Sequence, residues 1–154
     1  MVTLRTEIEI VAPPSTVWHT LYHQEEWERW NTFLFATAIE PGFQVNQLVR
    51  LVVCRSAGEG KVEFQSRVEQ VQPQVCLAWV SQTRGFRSES RFELEAVNPQ
   101  RTRYLHTEAF SGWLAGLLLP FMGQAEQEGM ERMAAELKRY LESDSKVLDG
   151  KFKV

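Results

Sequence analysis

The sequence predicts an α+β domain in which one antiparallel sheet packs against a single long helix. The first observation is a series of segments in which apolar and polar residues alternate, a pattern typical of strands with one buried face. The second is that most of these segments follow one another with short turn signals between them, and the third is a long amphipathic helix near the end of the chain. A run of strands followed by one such helix indicates this fold class.

The chain begins with a predicted strand and two short helices. Residues 3–11 alternate as a strand does, and Pro14 suits the first position of a helix, where its missing N–H costs no hydrogen bond. The helix that follows has one apolar face, which consists of Val17, Trp18, Leu21 and Tyr22. Residues 25–30 are predicted as a second short helix with two tryptophans three residues apart.

Six further strands are predicted. They are expected at residues 33–40, 48–54, 61–71, 75–80, 86–96 and 102–111, with turn signals at 41–42, 57–60, 72–74 and 98–100. The segment 86–96 alternates most strictly, because its even-numbered residues are apolar or small and its odd-numbered residues, from Arg87 to Glu95, are charged. This pattern predicts one face toward the core or a cavity and one face toward water.

Residues 124–142 are predicted as the long helix, after a connection at 112–123. The apolar face of this helix consists of Ala125, Gly129, Met133, Leu137 and Tyr140. Charged residues, Glu126 among them, are expected to fill most of its remaining surface. One folded domain is therefore expected over residues 1–143, and the polar tail, 144–154, is expected to be mobile.

The composition limits the class of protein. A chain of 154 residues with 44% hydrophobic and 24% charged residues is typical of one globular domain. Its net charge of −3 argues against a general nucleic-acid binder, which needs clustered Lys and Arg. Met1 to Glu7 lack the apolar core of a signal peptide, and Cys54 and Cys76 are expected to be buried, reduced thiols. We therefore expect a cytoplasmic protein.

The opening of the chain resembles a known superfamily. An alternating strand runs into Ala12-Pro13-Pro14 and a helix that contains Trp18, and Trp27-Glu28-Arg29-Trp30-Asn31 follows shortly after. This order is similar to the START-like (SRPBCC) superfamily of polyketide cyclase/dehydrase and lipid transport proteins, and the resemblance covers nearly the whole chain. It implies a helix-grip fold, in which a curved sheet of about seven strands wraps the C-terminal helix around a cavity for apolar ligands. Family members often have Trp-Asn-Pro-Phe where this chain has Trp30-Asn31-Thr32-Phe33, so the rigid turn is relaxed here.

His106 and Glu108, on the last strand, are the main polar candidates for chemistry. Residues two apart on a strand share a face, which here also carries Tyr104 and Phe110, and we expect this face to point at the helix and the cavity. The pair is then able to bind a ligand hydroxyl or carbonyl, or to act as a general acid or base. The alternatives are a satisfied polar contact within the sheet, or a one-residue change of register that turns both side chains to solvent.

Three other features have both a functional and a structural interpretation. The apolar run from Trp113 to Met122 is shorter than the about 20 residues that span a bilayer, and it predicts either a lid over the cavity or the buried start of the helix. His19 and His23 have a spacing that suits a metal ion, but no third ligand is evident and we expect no metal site. A group of aromatic residues forms either the pocket wall or the core, and consists of Trp18, Trp27, Trp30 and Phe33.

The functional prediction is the intracellular binding or transport of an apolar or amphipathic small molecule, such as a lipid, an isoprenoid or a polyketide-like compound. The alternatives are a cyclase/aromatase-like or dehydratase enzyme with the same cavity, and a chaperone-cofactor-like interaction module. No cofactor, nucleic-acid partner or integral membrane segment is expected. No residue is assigned as catalytic beyond the candidates His106 and Glu108. The oligomeric state is left open. The predicted ligand-binding residues are Trp30, Phe64, Trp79, Ser88, Ser90, Phe92, Tyr104, His106, Glu108, Phe110, Trp113, Phe121, Met122 and Met133.

Overall fold

The computed structural model describes residues 1–37, 42–56 and 60–152, and the side chains of these residues as far as Ser143. It has the predicted α+β architecture. The elements in chain order are β1 (Val2–Ile10), α1 (Pro14–Tyr22), a 3₁₀ helix (Gln24–Arg29), β2 (Leu34–Ala36), β3 (Leu48–Val53), β4 (Val62–Gln72), β5 (Cys76–Thr83), β6 (Phe86–Asn98), β7 (Arg101–Ser111) and α2 (Trp113–Phe152). The turns predicted at Pro41 and at residues 57–59 lie outside the described residues.

The seven strands form one curled antiparallel sheet in the order β1-β7-β6-β5-β4-β3-β2. The first and last strands are therefore neighbours, and Val2 pairs with Phe110 at one end of their ladder while Ile10 pairs with Thr102 at the other. The outer face is charged, as the alternation predicts. Arg91 and Glu93 form one of its ion pairs, at 2.7 Å. These charges keep the outer face in water, so the inner face is the one that meets α2.

The long helix packs its apolar stripe into the hollow of the sheet. Met130, Met133 and Leu137 are fully buried, and they follow one another at the three- and four-residue spacing of a single helix face. Gly129 lies against Phe33 so closely that a Cβ would be 2.3 Å from the ring. A side chain at this position would therefore force the helix and the aromatic ring apart.

The predicted connection at 112–123 is wrong, because α2 already begins at Trp113. Gly112, at φ +96°, allows the chain to turn directly from β7 into the helix, and the Leu114 amide donates to the Gly85 carbonyl at 2.9 Å. Pro120 lies inside the helix. It removes the hydrogen bond to the Gly116 carbonyl, but Gly116 is exposed, so water is able to solvate that oxygen. The helix continues to Phe152, and the mobility expected for residues 144–154 stays a prediction.

The centre of the space between sheet and helix is filled by aromatic side chains. Trp79 lies with its ring centroid 5.5 Å from Phe43, 6.0 Å from Trp27 and 5.1 Å from Phe92. Phe92 in turn lies 6.2 Å from Tyr104. All five residues are at most 2% exposed, so this part of the fold is packed core. No described helix is long and apolar enough to cross a membrane.

Candidate functional site

A cavity of about 210 Å³ remains between the sheet and the first half of α2. It lies at the end of the sheet where β5 ends and β6 begins. Its apolar wall consists of Leu34, Val53, Val62, Phe64, Phe86 and Phe110. Its polar wall consists of Arg55, Ser81, Thr83, Ser88, Ser90, Glu108 and Glu126. The cavity therefore presents one hydrophobic surface and one surface rich in hydrogen-bonding groups.

The inward register predicted for the last strand is confirmed. Tyr104, His106, Glu108 and Phe110 are all at most 6% exposed, and the residues between them are half-buried. The register places Ser90 of β6 opposite Glu108 and Phe92 opposite His106. The alternative in which the polar pair faces solvent is therefore wrong.

Glu108 is held by hydrogen bonds to both of its carboxylate oxygens. The Ser90 hydroxyl donates to Oε2 at 2.8 Å, and the Nε2 atom of His106 lies 2.9 Å from Oε1. A carboxylate only accepts, so His106 carries its hydrogen on Nε2 in this contact. The two donors fix the direction of the Glu108 side chain, which lines the cavity.

His106 itself lies behind the cavity wall. Its side chain is fully buried and stacks on Phe92 with ring centroids 4.1 Å apart. Its Nδ1 atom has no hydrogen-bond partner among the described residues. The histidine is therefore placed to orient Glu108, and the carboxylate is the member of the pair that a molecule in the cavity would touch.

A second buried carboxylate, Glu126 of α2, was expected on the polar surface of the helix, and this expectation is wrong. Glu126 is 3% exposed and forms an ion pair with Arg55, with Nε and Oε2 2.5 Å apart. Burial raises the pKa of Glu126, and so does the negative charge of Glu108, whereas Arg55 lowers it. The sequence carried a signal for this placement. Glu126 precedes Met130 by four residues and Met133 by seven, which puts it on the apolar face of the helix.

The predicted ligand-binding residues lie in different parts of the structure. Those that line the cavity are Phe64, Ser88, Ser90, Glu108 and Phe110. Those that belong to the packed core are Trp79, Phe92, Tyr104, His106 and Met133. Burial raises the pKa of Tyr104, whose hydroxyl has no hydrogen-bond partner in the described part of the chain. Met122 packs beside Phe110, Ala115 and Leu119.

The remaining three residues lie away from the cavity. Trp30 is a buried member of the core, and it borders a separate, open groove of about 630 Å³ at the opposite end of the molecule, near His19 and Tyr140. Trp113 and Phe121 are 68% and 88% exposed and, together with Leu117, form an apolar outer face of α2. Trp113 packs on the turn between β5 and β6, where a Cβ on Gly85 would lie 2.5 Å from its Nε1 atom.

The His19 and His23 rings lie with their centroids 4.0 Å apart and are tilted by 34°, and Nδ1 of His23 lies 2.7 Å from the His19 carbonyl oxygen. Within the described ranges, no group of three His, Cys, Asp or Glu residues is arranged to hold a metal ion. Cys54 and Cys76 are buried and are not joined to each other in a disulfide, as predicted.

Comparison with known proteins agrees with the helix-grip geometry. The family of polyketide cyclases/dehydrases and lipid transport proteins has a sequence model that matches residues 1–142. The chain belongs to this family. The START-like superfamily predicted from the opening residues is thereby confirmed. No curated protein matches the chain.

Solved structures share this family's fold at low sequence identity. TTHA0849 from Thermus thermophilus is 21% identical, with 94% of this chain and 99% of that one covered and a TM-score of 0.70. The di-domain ARO/CYC protein BexL from the BE-7585A biosynthetic pathway is 17% identical over 92% of this chain and 47% of its own, with a TM-score of 0.72. DynU16, from the dynemicin biosynthetic locus, is 18% identical over 92% of this chain and 48% of its own, with a TM-score of 0.67. At these identities the likeness establishes the fold.

Proposed function

We propose that this protein binds an apolar or amphipathic small molecule in the cavity between the sheet and α2. The observation that carries the proposal is the two-sided wall of the cavity. A hydrophobic part of the ligand would lie against residues such as Phe64 and Phe110, and a polar group would face Glu108 and Glu126. Ligand sites in proteins combine a mostly apolar lining with a few placed polar groups in the same way. Membership of a family that includes lipid transport proteins supports the proposal.

The size of the cavity favours a compact ligand. Its 210 Å³ is below the roughly 300–1,000 Å³ of sites for drug-sized molecules. Larger ligands such as a long-chain lipid would have to displace side chains of the aromatic core, and close-packed interiors resist such displacement. Among the predicted ligand classes, the structure therefore favours small ring compounds or short chains.

Native mass spectrometry of the purified protein, followed by organic extraction, tests this proposal. A stoichiometric apolar passenger is the expected result, and it should be lost when Ser88→Trp fills the cavity. Gln82→Trp is the matched control, because Gln82 is an exposed residue on the neighbouring strand. A passenger that survives in Ser88→Trp would place the binding site elsewhere.

A second candidate function is catalysis of the cyclase or dehydratase type, and the oriented Glu108 carboxylate favours it. A carboxylate fixed by Ser90 and His106 at the edge of an apolar cavity is suited to accept a proton from a bound substrate. His106→Ala should then abolish turnover of a substrate while its binding is nearly unchanged. Equal loss of binding and turnover would show that His106 only supports the shape of the site.

A further inference from the structure

We propose that the ligand of this cavity carries a hydrogen-bond donor, either a hydroxyl or a protonated amine, that is held by the Glu108 and Glu126 carboxylates, and that free carboxylic acids are excluded. This inference rests on the proposed binding function and specifies the class of ligand. It follows from the number of acceptors and from the balance of charge in the cavity wall.

The hydrogen-bonding groups of the wall are arranged so that several donors are already occupied. The Ser90 hydroxyl donates to Glu108, and the Ser81 hydroxyl donates to the Gln65 carbonyl at 2.9 Å. The Nε–H group of Arg55 donates to Glu126. A ligand that needs donors from the protein is left with the Ser88 and Thr83 hydroxyls and the other N–H groups of Arg55, or must break one of these contacts.

Acceptor capacity is in excess at the same place. The Oε1 atom of Glu126 accepts no hydrogen bond from the residues in the described ranges, although the side chain is buried in the cavity wall. Each carboxylate oxygen has two lone pairs, so both Glu108 oxygens retain one acceptor site beyond the bonds from Ser90 and His106. Both carboxylates therefore offer acceptor sites to a molecule in the cavity, and a ligand hydroxyl or ammonium group would supply the donor.

The charges of the cavity wall also favour a ligand with an ammonium group over one with a carboxylate. Glu108 and Glu126 face one guanidinium, that of Arg55, so with a neutral His106 behind Glu108 the ionised cavity has an excess of negative charge. The two carboxylates also interact with each other, since the charge of Glu108 raises the pKa of Glu126. A third carboxylate from an acidic ligand would add repulsion in a poorly screened interior, whereas an ammonium group would relieve it.

Three matched probes of one shape distinguish these cases, namely benzyl alcohol, benzylamine and benzoate. Their binding to the intact protein is measured by ligand-observed NMR and isothermal titration calorimetry at neutral pH. We expect the alcohol and the amine to bind at least tenfold more tightly than benzoate, and Ser88→Trp to abolish their binding. The variants Glu108→Gln and Glu126→Gln keep the shape of the side chain and remove one charge. Each should weaken the binding of benzylamine and so reduce the ratio of its affinity to that of benzoate.

Glu95→Gln is the control, because Glu95 lies on the exposed outer face of the sheet, and it should leave all three affinities unchanged. Thermal melts of each variant establish that the fold is retained. Benzoate binding as tight as that of the alcohol, and lost in Arg55→Gln, would overturn the inference and leave the proposed binding function intact. Failure of all three probes, together with an absence of any passenger in the purified protein, would overturn both.

Discussion

Replacement of Trp79 by alanine tests whether the centre of the molecule is packed core or open cavity. Trp79 is 1% exposed and its ring contacts Trp27, Phe43 and Phe92. Truncation of such a buried aromatic costs about 3–5 kcal/mol, from lost burial and from the void that remains. The indole Nε1 atom has no hydrogen-bond partner among the described residues, and its removal recovers part of that cost. We therefore expect Trp79→Ala to lower the free energy of unfolding by about 3–4 kcal/mol.

The assay is thermal unfolding by calorimetry, supported by urea denaturation. A domain of this length loses about 2–4 °C in Tm for each kcal/mol, so the Tm should fall by roughly 6–16 °C. Trp113→Ala is the matched control, because Trp113 is 68% exposed, and its Tm should change by no more than about 2–3 °C, as is usual for surface positions. A Tm for Trp79→Ala as close to wild type as that of Trp113→Ala would refute the packed-core interpretation and imply an open space around the indole.

Three further variants test other parts of the structure. Gly129→Ala should destabilise the fold by about 1–3 kcal/mol in urea denaturation, because the new methyl group overlaps the Phe33 ring; an unchanged midpoint would contradict the close approach. Phe121→Ser should change the free energy of unfolding by less than about 0.5 kcal/mol, and it should weaken any self-association seen by analytical ultracentrifugation if the exposed face of α2 is an interaction surface. Burial and the charge of Glu108 raise the pKa of Glu126 in the folded protein above about 4, the value in the unfolded chain. The wild type therefore loses stability as the pH rises above about 4, and Glu126→Gln, which does not titrate, should gain stability relative to it. Equal pH profiles of the two proteins' unfolding free energies would contradict the raised pKa.

The strand register could be predicted from the sequence because alternation reports it directly. Charged residues on one face of 86–96 leave only one way to orient β6, and the ladder then orients β7, so His106 and Glu108 point inward. The start of α2 could not be predicted in the same way. Pro120 and the two glycines around it are usually signs of a loop, and the exposed Gly116 carbonyl that makes Pro120 tolerable is a property of the folded helix.

The candidate site was only partly predictable, because it depends on contacts between distant segments. Strand alternation places Phe64, Ser88, Ser90, Glu108 and Phe110 on the inner face of the sheet, and these residues line the cavity. Arg55 comes from the end of β3 and meets Glu126 of α2 across 71 residues of sequence. Periodicity within a single sequence does not show which distant segments, such as those of Arg55 and Glu126, come into contact. The filling of the centre by Trp79 and Phe92 likewise depends on how ring volumes fit together, which periodicity does not report.

The position of the cavity follows from the sizes of the side chains on the inner face. Along β5 the inward residue Trp79 is followed by Ser81, and along β6 the small Ser88 and Ser90 precede Phe92. One half of the sheet is thus filled by large rings and the other half is left hollow. A protein selected only for stability would gain from larger apolar residues at the serines, since voids and buried charges both cost free energy. The presence of small residues beside Glu108, in a cavity that also holds a second buried carboxylate, is therefore better explained by the requirements of a ligand than by those of the fold.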